Sequence, residues 1–210
     1  MEFKHVLWDW NGTLIDDASL TVRLCNRQIQ SQGLKVDLRT YRKKFCIPIS
    51  DFYLKLGFDF KKKSIQEISD RFHTEYRKLS HRCRLQPGAR KLLAFFRKRG
   101  ITQSILSAYE RSYLLQLLKD HRIENYFTDV IAFDENPGRK KTDLGRKWLE
   151  KSGLKPSEIL LIGDTVHDYE VARALGTRCA LVSRGFQDAS LLESLPVPVY
   201  PSLLDLFLRG

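Results

Sequence analysis

The chain has 210 residues, 42% of them hydrophobic and 11% aromatic, which suits one ordinary domain with a modest insertion and excludes a disordered chain. No run approaches the roughly eighteen apolar residues of a membrane-spanning helix, and Met1–Trp10 lacks a signal-peptide layout, so a cytoplasmic protein with no membrane partner is expected. Cys25, Cys46, Cys83 and Cys179 show no CxxC spacing, which excludes a zinc finger and leaves buried thiols in a reducing cytosol.

Formal charge is +11 and unevenly spread: residues 15–86 carry 16 Lys and Arg against 8 Asp and Glu, the remainder 20 against 17. A basic segment of this kind attracts nucleic acid, steers in a small phosphorylated substrate, or is a solvated helical face. With no RNP-like aromatic pattern, basic zipper or Cys/His finger, no dedicated nucleic-acid module is expected.

Residues 3–9 form a short apolar run that reads as a buried strand ending at the turn Asn11-Gly12-Thr13. From about 18 to 84, Leu20, Leu24, Ile29, Tyr41, Phe45, Phe52, Leu56, Ile65, Ile68, Phe72, Tyr76 and Leu79 recur at helical intervals. Gly33, Pro48 and Gly57 divide this stretch into about four helices, with no strand expected among them. Phe52, Tyr53, Phe58 and Phe60 read as packing within it. After Pro87-Gly88 the pattern alternates: helix 89–99, strand 101–107, helix 110–120, strand 128–133, helix 142–152, strand 158–164, helix 168–175, strand 178–183. Apolar strands alternating with amphipathic helices predict an α/β fold, a Rossmann-like parallel sheet with helices on both faces. Residues 1–15 and 87–210 would build it, and 16–86 would be a small all-helical insertion after the first strand. Gly138-Arg139-Lys140-Lys141 is not a Walker motif.

In an open parallel sheet, ligands bind beyond the carboxyl ends of the strands. Those ends deliver Asp9, with Asn11, Gly12 and Thr13 behind it, then Ser107, then Asp164, with Asp168 a helical turn later and Lys141 entering the preceding helix. Each has a plain alternative: Asp9 ending a strand, Asp164 and Asp168 capping a helix, Ser107 in a turn, Lys141 on the surface. Their joint order at successive strand ends favours a site. Three carboxylates at one edge repel each other unless a cation or proton intervenes, and a hard, oxygen-liganded Mg²⁺ is the simplest remedy.

The run Asp9-Trp10-Asn11-Gly12-Thr13-Leu14, then Leu106-Ser107-Ala108, Lys141-Thr142-Asp143-Leu144-Gly145 and Gly163-Asp164-Thr165-Val166-His167-Asp168 resembles, in order, the four motifs of the haloacid dehalogenase-like hydrolases. The helical insertion after the first motif is similar to the cap of the phosphoglycolate-phosphatase-like branch. The resemblance implies an Mg²⁺-dependent phosphatase acting on a small phosphorylated substrate. Asp9 would be the nucleophile that carries a transient aspartyl-phosphate. Asp9, the main-chain carbonyl of Asn11 and Asp164 would hold Mg²⁺, supported by Asp168. Lys141 would pair with Asp9 and the phosphoryl group, which Thr13, Ser107 and the adjoining Ala108 would also contact.

Asn11 departs from that pattern, because family phosphatases usually carry a second aspartate there that moves a proton to the leaving oxygen and later activates water. An amide cannot do this, at a cost on the order of 10²–10⁴ in rate. Three explanations stand open: a substrate with a good leaving group such as an acyl or aryl phosphate; a substitute among Asp16, Asp17 and His167; or a phosphate-binding or sensing protein with weak turnover. A phosphonate hydrolase using a cap lysine and a phosphatase of nucleic-acid ends are weaker alternatives. Substrate identity and oligomeric state are not legible at this level.

Overall fold

In the computed structural model, residues 3–134 and 140–209 are described. The chain enters through β1 (His5–Trp8), two short of the predicted strand at its start and one at its end, and buried along its whole length. Side chains alternate across a strand, so Val6 and Trp8 join one apolar cluster and Leu7 the opposite one. Burial from both faces explains the unbroken apolar run, and each such large side chain contributes about 1.5–3 kcal/mol.

β2 (Ile15–Asp16) leads into four helices, α1 (Ala18–Ile29), α2 (Leu38–Lys44), α3 (Ile49–Lys55) and α4 (Ile65–Leu79), and β3 (Arg84–Leu85) closes the insertion. Asp37 caps α2 and Ser64 caps α4, the latter in a reciprocal pair with Glu67. β3 corrects the all-helical expectation: Ile15 pairs with Leu85 and Asp16 with Arg84, forming an antiparallel neck. Two-residue strands leave no periodicity to read. Inside the insertion Tyr41, Phe45, Phe52, Tyr53 and Phe58 are buried together and Phe60 packs against them.

The remainder alternates: α5 (Ala89–Lys98), β4 (Thr102–Glu110), α6 (Arg111–Asp120), β5 (Asp129–Phe133), α7 (Lys141–Ser152), β6 (Ile159–Gly163), α8 (Val166–Leu175) and β7 (Arg178–Val182). Beyond residue 183, where no element was expected, come α9 (Ala189–Leu192), β8 (Val199–Tyr200) and α10 (Leu203–Arg209). The strands form a parallel sheet in the order β5-β4-β1-β6-β7-β8. β4 runs past the predicted end at Ser107 to Glu110 through a register shift between Leu106 and Glu110. Gly138 and Arg139 of the basic run lie outside the described residues. Among the described residues no helix is long and apolar enough to cross a membrane.

Candidate active site

β1 lies between β4 and β6, where chain connections leave in opposite directions, the point at which an open α/β sheet forms its crevice. Trp8 pairs with Ile105 on one side and Ile162 on the other. The next residue, Asp9, is therefore level with Leu106 and Gly163, and Ser107 and Asp164 stand one step further out. Register alone brings the three strand ends together.

Lys141 completes the group from α7. Its Nζ donates to Asp9 Oδ1 at 2.6 Å and to Asp168 Oδ1 at 2.7 Å, with all three side chains buried. A cation at a helix N-terminus opposes the helix dipole, so the placement needs these carboxylates to offset it. Burial alone would lower the ammonium's pKa; Asp168 and Asp9 outweigh it and hold Lys141 above its ordinary value, fully protonated. Burial pushes Asp9 up to about 7, against the pull of Lys141.

Asp164 is completely enclosed, and burial, then Asp9 and Asp168, push its carboxyl well above the usual range. Thr13 Oγ1 donates to its Oδ1 at 2.9 Å and the Phe186 N–H to its Oδ2 at 2.6 Å. Asp168 fills two offices. Its Oδ2 accepts from the N–H groups of Asp164 (3.2 Å) and Thr165 (3.0 Å) and from Thr165 Oγ1 (2.6 Å), a capping box on α8, while Oδ1 faces Lys141. Burial works against ionisation here too, but Lys141 and these donors prevail and hold Asp168 below the usual carboxylate range. The plain helix-cap alternative is thus part of the site.

Ligand oxygens of Asp9, Asp164 and Asp168 lie within 4.8 Å of one another. Ionised together, three buried carboxylates with one ammonium between two of them would carry uncompensated negative charge, and the all-oxygen donor set suits a hard divalent cation such as Mg²⁺. Asp168, tied to Lys141 through one oxygen and to the start of α8 through the other, is placed to support such a cation directly or through water.

Around Asn11 the structure builds a second buried cluster. Asn11 Nδ2 donates to Asp17 Oδ2 at 2.8 Å and to the Tyr76 hydroxyl of α4 at 2.7 Å; that hydroxyl donates to the same Asp17 Oδ2 at 2.6 Å, and the Gly12 N–H donates to Oδ1 at 2.8 Å. Asp17 stands at the N-cap of α1 yet makes no side-chain cap bond, having turned wholly toward the 11–12 turn. Burial, against the pull of Tyr76 and Asn11, pushes its carboxyl up to about 6.

The structure thus brings Asp9, Lys141, Asp164 and Asp168 into one group. Thr13 is buried, and its hydroxyl donates to Asp164 and supports that carboxylate. Ser107 is a buried residue within β4 rather than its last; its Oγ accepts from the Tyr109 N–H and keeps its own hydrogen to donate, while Ala108 is exposed. Of the candidate substitutes, Asp16 sits opposite Arg84 in the neck, and His167 turns Nδ1 toward Glu170 at 3.6 Å on a cleft of about 280 Å³ shared with Lys43, Lys44 and Lys55.

Sequence reasoning missed Tyr76, which it counted only among the positions at helical intervals, and the loop 184–188. That loop grips the insertion: Arg42 Nε donates to the Gly185 carbonyl at 2.8 Å, Gln187 Nε2 to the Phe45 carbonyl at 2.9 Å, and the Phe186 ring packs on Phe45. It follows the end of β7 at the functional edge of the sheet, and Gly185 was the signal available. A β-carbon there would lie 2.0 Å from Asp164 Oδ2, so only glycine lets the loop pass.

The family model for haloacid dehalogenase-like hydrolases matches residues 6–182. A phosphoglycolate phosphatase from Photobacterium profundum is 36% identical over 189 residues, covering 81% of this chain and 79% of its own. One from Vibrio vulnificus is 26% identical over 188 residues, covering 83% and 81%. In structure, a haloacid dehalogenase-like hydrolase from Streptococcus pneumoniae superposes with a TM-score of 0.81 at 21% identity, over 99% of this chain and 98% of its own. With the sheet order, the placement of Asp9, Lys141, Asp164 and Asp168, and these likenesses in agreement, the chain belongs to the haloacid dehalogenase-like hydrolase family.

Proposed function

We propose that the protein is a phosphatase that hydrolyses a small phosphorylated metabolite through an aspartyl-phosphate on Asp9, with Mg²⁺ as its cofactor. The observation that carries this reading is Lys141 Nζ bridging Asp9 and Asp168, with Asp164 beside them. Relatives named phosphoglycolate phosphatase support the phosphoryl substrate class and make 2-phosphoglycolate one compound to try.

Asp9 attacks phosphorus, which splits one hard displacement into two easier ones. Lys141 compensates charge on Asp9 and meets the phosphoryl oxygens as they gain charge, already in place and needing no reorganisation. Ser107, with the N–H groups of Ala108 and of the turn after Asp9, orients the same oxygens. Asp9, Asp164 and the main-chain carbonyl of Asn11 would hold Mg²⁺, which neutralises phosphoryl charge when bound. Residues 16–86 act as a cap over a core of 1–15 and 87–210, excluding water and admitting substrate when they open. The basic balance of the cap draws in an anion, and four free thiols support a reducing, cytoplasmic setting.

The test is phosphate release from sugar, nucleotide, glycolate, aryl and acyl phosphates, with Mg²⁺ and with chelator, against Asp9→Asn. Metal-dependent turnover that disappears in the variant supports the reading. Phosphate binding with no turnover above the variant on any compound favours a sensing protein instead.

A further inference from the structure

Most of the side-chain hydrogens around Asp9 and Asn11 are already committed. Thr13 gives its hydroxyl hydrogen to Asp164, Thr165 to Asp168 and Tyr76 to Asp17. Lys141 gives two of its three hydrogens to Asp9 and Asp168 and has the third for a phosphoryl oxygen. Asn11 spends both amide hydrogens, one on Asp17 and one on Tyr76, and the acceptor oxygen of Asp17 fixes which end of the amide faces it. What Asn11 can offer a ligand is its carbonyl oxygen, an acceptor. Asp17 is sealed from solvent at 0% exposure and already accepts three hydrogen bonds. Ser107 retains a hydrogen, but an alcohol is far too weak an acid to protonate a departing alkoxide.

We infer that this site is built for phosphorylated substrates whose leaving oxygen departs unprotonated, as a resonance-stabilised anion (a carboxylate, enolate or phenolate), and that Asp17 and Tyr76 are the positioning residues that impose this by consuming the hydrogens of Asn11. The inference rests on the phosphatase reading above and narrows its substrate. In the first step the bond from Asp9 to phosphorus forms as the bond to the leaving oxygen breaks, and the bonding pair leaves with that oxygen; no proton moves. In the second, water attacks phosphorus, the Asp9 carboxylate is expelled, and the proton from water passes to a phosphoryl oxygen. Asn11 Oδ1 accepts a hydrogen bond from that water and orients it. Alkyl phosphates, whose leaving group is a basic alkoxide, are poor substrates.

The experiment compares kcat/KM, with Mg²⁺, over substituted phenyl phosphates of graded leaving-group acidity together with acetyl phosphate and an alkyl phosphate, with Asp9→Asn as background. The expected result is a fall on the order of 10²–10⁴ from the most to the least acidic leaving group, the factor a general acid would otherwise supply. In the double variant Asn11→Asp/Asp17→Asn, the donor and acceptor exchange sides, so every bond of the cluster can be remade while residue 11 gains an ionisable carboxyl. There the dependence flattens and alkyl phosphate turnover rises. Asn11→Asp alone sets two carboxyl groups at hydrogen-bonding distance, sharing a proton, and leaves the dependence steep. Circular dichroism and melting curves establish that each variant is folded. A flat dependence in the wild type, with turnover abolished by Asp9→Asn, overturns this inference and leaves the phosphatase intact. An absence of turnover on every compound, acetyl phosphate included, overturns both.

Discussion

Lys141 Nζ lies 2.7 Å from Asp168 Oδ1, joining the first residue of α7 to the first turn of α8 across 27 residues of sequence. The same ammonium holds Asp9, so its removal strands two buried carboxylates. Lys141→Met is expected to lower stability by about 3–5 kcal/mol, read from urea unfolding at neutral pH without added metal. An unchanged midpoint would mean that the ion pairs contribute nothing net.

Gly12 and Gly185 press on Asp164 from two directions, and β-carbons built on them would lie 2.3 Å and 2.0 Å from its Oδ2. Asp164 cannot retreat, being held by Thr13 and the Phe186 N–H. Gly12 also has φ +79°, where an L side chain adds roughly 1–2 kcal/mol. Gly12→Ala should therefore destabilise more than Gly185→Ala, and both should abolish the rise in melting temperature on adding Mg²⁺. Differential scanning fluorimetry with and without the ion measures both effects.

Asp164→Asn separates repulsion from metal binding. An amide can place its oxygen toward the Phe186 N–H and its nitrogen toward the Thr13 hydroxyl, so both partners are kept while a buried acid is removed. The variant should melt at or above the wild type without metal. Wild type in Mg²⁺ at a hundred times its dissociation constant gains about 2.7 kcal/mol, or roughly 5–10 °C for a chain of this size, and the variant gains none.

His5 supplies a pH test away from the site. It is buried beside Trp148, its Nδ1 2.7 Å from Thr102 Oγ1, and burial lowers its pKa to about 4 against a weak opposing pull from Asp129. Above its ordinary value of 6.5 both folded and unfolded chains hold a neutral ring. Below it the unfolded chain takes up a proton that the folded chain refuses until about 4. This group's contribution is therefore fully present above 6.5 and falls by about 3 kcal/mol as pH drops to 4. His5→Phe, which keeps an aromatic face toward Trp148, should show a shallower loss of stability over that window in denaturant titrations.

The sequence by itself determined the alternation of apolar strands and amphipathic helices, the helical insertion and the acidic strand ends. Those follow from periodicity and from the rule that strands of a parallel sheet end at one edge. Asp9, Lys141, Asp164 and Asp168 were legible because each is tied to a strand end or a helix start a few residues long. The tertiary structure decided which hydrogen goes to which oxygen. Thr13 serves Asp164, Asn11 faces Asp17, and Tyr76 reaches across from α4, 65 residues away from Asn11. The two-residue strands of the neck and the grip of the 184–188 loop on α2 likewise depend on segments far apart in the chain. Such pairings leave no local period, and their direction is set by burial, where a donor left without an acceptor is costly once water is gone.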